Sequence, residues 1–94
     1  MSRNQQRMTA FDEDLRKVFQ VITLEIEDES HLHAGHAGAA SGGGHFKLKI
    51  VSPQFKGLNL VARHRAVYAA LNRHIPEEIH ALTITALAPD EVID

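Results

Sequence analysis

Apolar residues recur at helical spacing near the start of the chain. In the segment TAFDEDLRKVF the apolar stripe consists of Phe11, Leu15, Val18 and Phe19, which is the spacing of one buried helix face. Thr9 and Asp12 stand three residues apart just before this stripe, and this spacing predicts a capping box that starts the helix at Thr9. We therefore expect a flexible N-terminus over residues 1–8 and one domain over residues 9–94.

Two later segments alternate between apolar and polar residues, which predicts half-buried strands. VITLEIED (21–28) carries glutamates on its polar face, and HFKLKIVS (45–52) carries lysines there. Antiparallel pairing would place glutamates beside lysines, a favourable cross-strand match. The connection, residues 29–44, is much longer than a tight hairpin requires, and loops of that length are usually functional or disordered. We expect it to be a flexible loop.

The second half of the chain predicts a helix, a strand and a short closing helix. Pro53 and Gly57 mark a turn, after which Asn59 is the expected N-cap of a helix. The predicted buried stripe of that helix is Leu60, His64, Val67, Tyr68 and Leu71. EIHALTITAL (78–87) reads as a third strand, and APDEVID begins a short helix at a proline. The order α-β-β-α-β-α predicts an α+β fold with a three-stranded mixed sheet.

Topology places a histidine of the third strand beside the long loop. Strand two, helix two and strand three form a crossover unit, so these two strands should run parallel. Their starts then share one end of the sheet, which brings His80 close to the loop. The loop region supplies four more of the seven histidines of the chain, namely His31, His33, His36 and His45.

The loop histidines allow two interpretations. They stand among alanine and glycine, which cannot offset the entropy of ordering by burial, so a solvated loop is one possibility. A metal-binding loop is the other, because iron and zinc both accept neutral imidazole. Likewise, a lone strand histidine such as His80 is commonly bonded to a backbone carbonyl rather than to a metal. Two histidines would form an incomplete site that a partner must complete.

Composition narrows the function classes. The 94 residues form one small domain with a net charge of −2, which gives no sign of a strongly basic nucleic-acid binder. The absence of cysteine excludes disulfides, a thiol nucleophile and thiolate ligands from this chain. No apolar run spans a bilayer and no signal peptide is recognisable, so we expect a cytoplasmic protein without membrane contact. No catalytic constellation is visible, so we do not expect an enzyme.

Several motifs together resemble one family. They are DES (28–30), HFK (45–47), VS..F.G (51–57), RHRAVYAAL (63–71) and IHAL (79–82). This pattern is similar to the BolA family from about residue 11 to residue 91. The resemblance implies a class II KH-like fold with the helices packed on one face of the sheet. It also implies a partner, a monothiol glutaredoxin of the CGFS type, with which such proteins share a bridging [2Fe–2S] cluster in cluster assembly or transfer or in iron sensing.

The resemblance also implies ligands. The glutaredoxin cysteine and glutathione serve one iron, and the BolA-like protein serves the other through two residues. His80 matches the histidine of the family motif IHAL. The second ligand is a loop histidine or cysteine, and because this chain has no cysteine it belongs to the histidine branch. Alignment from DES makes His33 the expected loop ligand, with His36 and His31 as alternatives because the loop is long.

A second function follows from the same resemblance. Some bacterial members are transcription regulators that bind DNA through the F-x-G…R-H-R region, which here runs from Phe55 to Arg65. Lys56, Arg63 and Arg65 lie near a helix N-terminus, where phosphate is favoured, although surface solvation explains these cations equally well. The family often has a tryptophan in the closing helix, where this chain has Val92. Alone, the chain is expected to be a monomer or a weak homodimer.

Overall fold

The computed structural model describes residues 2–30 and 43–92 of the chain. It contains two α-helices and three strands in an α+β arrangement. The elements are α1 (Arg3–Val18), β1 (Thr23–Asp28), β2 (Gly44–Val51), α2 (Leu60–Ala70) and β3 (Ile79–Leu87). Three one-turn 3₁₀ helices, at Pro53–Phe55, Asn72–His74 and Pro89–Glu91, complete the described part of the fold. The predicted closing helix is the last of these turns.

The three strands form one mixed sheet in the order β1-β2-β3. β1 and β2 pair antiparallel, and β2 and β3 pair parallel, which confirms both predicted relationships. In the register of β1 and β2, Glu25 pairs with Lys49 and Glu27 pairs with Lys47. Lys49 Nζ lies 3.9 Å from an oxygen of Glu25. The predicted charge ladder therefore covers one face of the sheet.

The core lies between the other face of the sheet and the two helices. Its central side chains, each 1% exposed or less, are Phe11, Leu15, Phe46, Leu48, Ile50, Val67 and Leu71. The ring of Phe11 meets that of Phe46 edge-on at 5.1 Å between centroids. Burial of side chains of this size stabilises the fold by about 1.5–3 kcal/mol each. The strand alternation and most of the predicted helix stripes thus build one core, but Val18 is 50% exposed, so its predicted burial is wrong.

The first helix begins earlier than predicted. Ser2 is its N-cap and forms a capping box with Gln5, so α1 starts at Arg3 and the predicted start at Thr9 is wrong. Residues 3–8, predicted to be flexible, form the first turns of the helix, and Arg7 is buried. Ser2 with Gln5 fits the capping-box pattern as well as Thr9 with Asp12 does. Thr9 instead donates its hydroxyl hydrogen to the carbonyl of Gln5 within the helix.

The second helix begins as predicted, but its buried face differs from the predicted stripe in part. The side chain of Asn59 accepts a hydrogen bond from the amide of Ala62 at 2.8 Å, which confirms the cap. Leu60 and Tyr68 are 65% and 41% exposed, so their predicted burial is wrong. Arg63 takes the buried position instead. Within residues 2–30 and 43–92, no helix has the length and apolar character that a membrane crossing requires.

Candidate metal centre at the starts of the parallel strands

Two imidazoles meet where β2 and β3 begin. His45 is the second residue of β2 and is 8% exposed, whereas His80, the second residue of β3, is exposed. Their ring centroids lie 5.3 Å apart with an angle of 53° between the ring planes. The structure therefore confirms that His80 shares one end of the sheet with a histidine of the loop region.

A register irregularity brings these two rings together. Gly44 pairs with Ile79 but His45 pairs with Ala81, so His80 is the extra residue between two pairs. Bulges of this kind change the direction of side chains and are frequent next to functional sites. Strand parity alone would put His45 on the face of Lys47, away from His80. The bulge at His80 instead brings the rings of His45 and His80 into contact.

A hydrogen-bond network fixes the backbone of His45. Its amide donates to Ser30 Oγ at 3.1 Å, and its carbonyl accepts from the amide of Glu29 at 2.8 Å. The side chain of Asn4 donates to Asp28 Oδ2 at 3.0 Å and to Ser30 Oγ at 3.3 Å. The amide of Ser30 donates to the other Asp28 oxygen at 2.9 Å. The start of α1 and the end of β1 thus hold the start of β2.

Glycine lets the chain pass close to His80. A Cβ atom placed on Gly43 would lie 2.9 Å from the Cβ of His80 and 3.3 Å from the carbonyl oxygen of Glu77. Carbon atoms of separate side chains do not approach so closely without displacement. The amide of Gly44 donates to the carbonyl of Glu78 at 3.0 Å. Gly43 and Gly44 therefore allow the two strand starts to come together.

A surface cavity of about 390 Å³ is lined in part by His45. Its walls include the start of α1, Asp28 and Ser30, and Gly43 beside His45. Arg3 and Arg7 face the same space as Asp28, so the walls carry both signs of charge. His45 thus borders this cavity and also contacts the ring of His80.

The remaining predicted ligands, His31, His33 and His36, lie outside the described residues, and their role stays a prediction. Within residues 2–30 and 43–92, no cluster of three or more histidine, cysteine or carboxylate side chains could hold a metal ion. His45 and His80 are the pair of imidazoles that the described segments bring together at this end of the sheet. Such a pair supplies two nitrogen donors of the type that zinc and iron accept.

A buried polar cluster supports the segment that leads into β3. His74 is 1% exposed, and its Nδ1 lies 2.8 Å from Glu78 while its Nε2 lies 2.8 Å from Asp14. Its ring also contacts the edge of Phe11 at 4.8 Å between centroids. Arg73 donates two hydrogen bonds to Asp14, at 2.7 Å and 3.1 Å.

These contacts shift the titration of Asp14. Its pKa is lowered from 3.8 to about 2, chiefly because Arg73 donates hydrogen bonds to the carboxylate, with a further contribution from His74, while burial acts in the opposite direction. The apolar pattern of the sequence does not reveal the partners of His74. One signal was available, since Asp14 falls on the apolar stripe of α1 beside Phe11 and Leu15.

The structure places Arg63 inside the fold. It is 9% exposed and donates to the carbonyls of Leu58 and Ala86 at 2.9 Å and 3.0 Å. Its two terminal nitrogens also donate hydrogen bonds to the two carboxylate oxygens of Glu91. These bonds raise the pKa of Arg63 and lower that of Glu91. Arg63 was predicted to contact phosphate, but in the structure its guanidinium binds Glu91 in the closing turn.

The other predicted nucleic-acid residues remain on the surface. Lys56 and Arg65 are exposed and lie in or just before the N-terminal half of α2. This helix follows the end of β2, and Arg63 in its first turn bonds to Ala86 near the end of β3. The region is therefore at the opposite end of the sheet from His80.

Comparison with known proteins adds the family context. The family model described as BolA-like protein matches residues 15–91. Protein BOLA1, chloroplastic, of Arabidopsis thaliana is 43% identical over 88 residues, which cover 90% of this chain and 55% of that protein. The DNA-binding transcriptional regulator BolA of Haemophilus influenzae is 41% identical over 80 residues, covering 85% of this chain and 75% of the regulator. The chain thus spans about half the length of the plant relative.

A solved structure shows the same fold. The BolA domain of SufE1 from Arabidopsis thaliana superposes with a TM-score of 0.80 at 42% sequence identity. The match covers 92% of this chain and 95% of that domain. The helix and strand arrangement described above is therefore that of a known domain along almost its full length.

Proposed function

The chain belongs to the BolA family, and on that premise we propose that it is the partner of a monothiol glutaredoxin of the CGFS type. Together the two proteins would hold a bridging [2Fe–2S] cluster. The glutaredoxin cysteine and glutathione would serve one iron, and imidazoles of this chain the other. The role would be cluster assembly, cluster transfer or iron sensing rather than catalysis.

The position of His80 is the observation that supports this proposal most. It is exposed at the end of the sheet, beside a second imidazole, and the described chain around it is held by the polar contacts of Ser30 and Glu78. Neutral imidazole nitrogen is an established ligand for iron in clusters of this type, where it raises the reduction potential above that of all-thiolate ligation. The donor set therefore fits the group.

The second ligand in this proposal is a loop histidine. His33 is the residue that aligns with the loop ligand of the family, and His36 and His31 are the alternatives. A ligand from the loop and one from β3 would come from sequence positions more than 40 residues apart. Iron binding would then link the loop to the sheet, because each ligand must be positioned before the site is complete.

The proposal is tested by mixing the protein anaerobically with cluster-loaded CGFS glutaredoxin and recording visible absorption and circular dichroism spectra. The wild-type protein should produce a new cluster spectrum, whereas His80→Ala and His33→Ala should not. His64→Ala, on α2, is the matched histidine control and should behave like the wild type. A glutaredoxin spectrum that does not change when the wild-type protein is added would contradict the proposal.

DNA binding is the second candidate, because the relative from Haemophilus influenzae is named a DNA-binding transcriptional regulator. Lys56 and Arg65 are the exposed cations that would contact phosphate. Binding to a fluorescent duplex should then weaken with added salt and in Lys56→Ala and Arg65→Ala. His80→Ala should bind DNA like the wild-type protein. Equal affinity of all four proteins would exclude a DNA interface on this helix.

The compartment and oligomeric state belong to the same proposal. We place the protein in the cytoplasm, although the name of its plant relative assigns that protein to the chloroplast, so the compartment varies within the family. In the absence of glutaredoxin the chain would be a monomer or a weak homodimer. Sedimentation at several protein concentrations measures this directly.

A further inference from the structure

We infer that His45 and His80 form a two-imidazole site that binds a divalent transition metal ion in this chain alone. The inference assigns a metal-binding role to His45, which lies outside the predicted ligand set. It rests on the proposed function only in the role of His80, and it requires no glutaredoxin and no cluster.

The separation of the two rings matches such a site. Zinc–imidazole bonds are about 2.0–2.1 Å and the ring centre lies about 1.1 Å beyond the nitrogen, so two rings on one tetrahedral ion have centres about 5 Å apart. The observed distance is 5.3 Å with the planes inclined by 53°. The separation of the two rings therefore matches that of two imidazoles bound to one ion.

The chain on both sides of the pair is constrained before any metal binds. The amide and the carbonyl of His45 are each hydrogen-bonded, to Ser30 and to Glu29. On the other strand, the Cβ of His80 lies so close to Gly43 that no larger residue fits there. Ligands that are positioned by the surrounding structure lose little conformational entropy on binding. The bulge between Gly44 and His45 is the feature that sets this arrangement.

The surroundings of the pair indicate which ions it would accept. Imidazole nitrogen suits zinc, cobalt, nickel and copper, whereas calcium and magnesium prefer oxygen. The buried ring of His45 and the exposed ring of His80 give the site one protected side and one accessible side. Two protein ligands leave further coordination positions for water or other donors.

The test is a calorimetric titration of the isolated protein with Zn²⁺ alone. The variants His45→Ala and His80→Ala should each bind Zn²⁺ at least about tenfold more weakly than the wild type. His64→Ala is the control and should bind normally. A further variant replaces the loop histidines at 31, 33 and 36 with alanine and should keep at least part of the binding. Wild-type affinity in His45→Ala would overturn the inference, as would complete loss of binding in the loop variant alone.

A second measurement avoids any effect of substitution on folding, because His45 is buried. In the wild-type protein labelled with ¹⁵N histidine, Zn²⁺ should shift the ring nitrogen signals of both His45 and His80. Shifts confined to His80 and the loop histidines would overturn the inference. His45→Gln, which keeps much of the side-chain volume, should fold by circular dichroism and still bind Zn²⁺ weakly.

The outcome is separable from that of the proposed function. Zinc binding through His45 and His80, without a new spectrum on mixing with glutaredoxin, would support this inference and contradict the proposed function. A new cluster spectrum together with unchanged zinc binding in His45→Ala would do the reverse.

Discussion

Nε2 of His74 lies 2.8 Å from Oδ2 of Asp14, although the two residues are 60 positions apart in the chain. The contact joins α1 to the turn that precedes β3. Because the other ring nitrogen of His74 meets Glu78, the cluster reaches to within two residues of His80. The frame of the candidate metal centre therefore depends on a buried polar contact as well as on the apolar core.

Asp14 should make the stability of the protein sensitive to acid. Its pKa is lowered in the folded state from 3.8 to about 2, so its contribution is fully present above about pH 4 and is lost as the pH falls towards 2. Asp14→Asn should lower the free energy of unfolding at pH 7 and flatten its dependence on pH between about pH 4 and pH 2. Urea unfolding followed by circular dichroism at several pH values measures both effects.

Asp12→Asn is the matched control for this prediction. Asp12 pairs with Arg16 on the exposed side of the same helix, and surface pairs of this kind contribute about 0.2–1 kcal/mol. Its replacement should leave the acid dependence of the wild type in place. The prediction fails if Asp14→Asn loses as much stability between pH 4 and pH 2 as the wild-type protein does.

His74→Ala should be among the most destabilising changes in the chain. It would remove the ring that contacts both carboxylates and leave a cavity against Phe11, which together predict a loss of about 2–4 kcal/mol. The free energy of unfolding in urea gives the value. His64→Ala, on the second helix, should cost less. A loss for His74→Ala within about 0.5 kcal/mol of zero, the range of surface substitutions, would show that the cluster is not structural.

Arg63 and Arg65 should behave differently although they are two residues apart. Arg63→Ala removes the donors to Leu58, Ala86 and Glu91, so it should lower the urea midpoint of unfolding. Arg65 is exposed, and Arg65→Ala should leave that midpoint unchanged. DNA affinity measured on the same samples separates the two roles. Loss of DNA affinity in Arg63→Ala with an unchanged midpoint would show a direct contact instead.

Gly43→Ala should disturb His80 specifically. The added methyl group would meet the Cβ of His80 at 2.9 Å, so the amide resonances around His80 and Glu77 should shift, and zinc binding should weaken. Gly57→Ala is the control, because φ there is +81° but nothing lies within 4 Å of the added group. That variant should lose stability, by about 1 kcal/mol, without any change near His80. Identical spectra around His80 in Gly43→Ala and wild type would contradict the role of Gly43.

The sequence predicted the relationships that depend on period and chain direction. Alternation predicted that glutamates of β1 lie beside lysines of β2, as Glu25 and Lys49 do, and the crossover rule predicted that β2 and β3 start at the same end of the sheet. These rules need only local residue types and the handedness of connections. They are sufficient to place His80 at the end of the sheet where β2 begins.

Polar residues inside the core were missed for a physical reason. Arg63 and Asp14 are buried because each has partners far away in the sequence, such as Glu91 and His74, and a pattern of apolar positions contains no record of such partners. The sequence pattern did not predict the contact between His45 and His80 either, and the reason is a different one. Strand parity alone places His80 on the face opposite to His45 and Lys47, and the bulge that changes the direction of His80 leaves no signal in the local alternation.

The most direct test of the central claim is pulsed electron paramagnetic resonance of the reduced cluster. Histidine of this chain alone is labelled with ¹⁵N, and the protein is combined with unlabelled, cluster-loaded CGFS glutaredoxin before reduction. The account predicts hyperfine couplings from imidazole ¹⁵N of this chain, with at least one lost in His80→Ala. A complex that forms and carries the reduced cluster but shows no ¹⁵N coupling would contradict iron ligation by this chain.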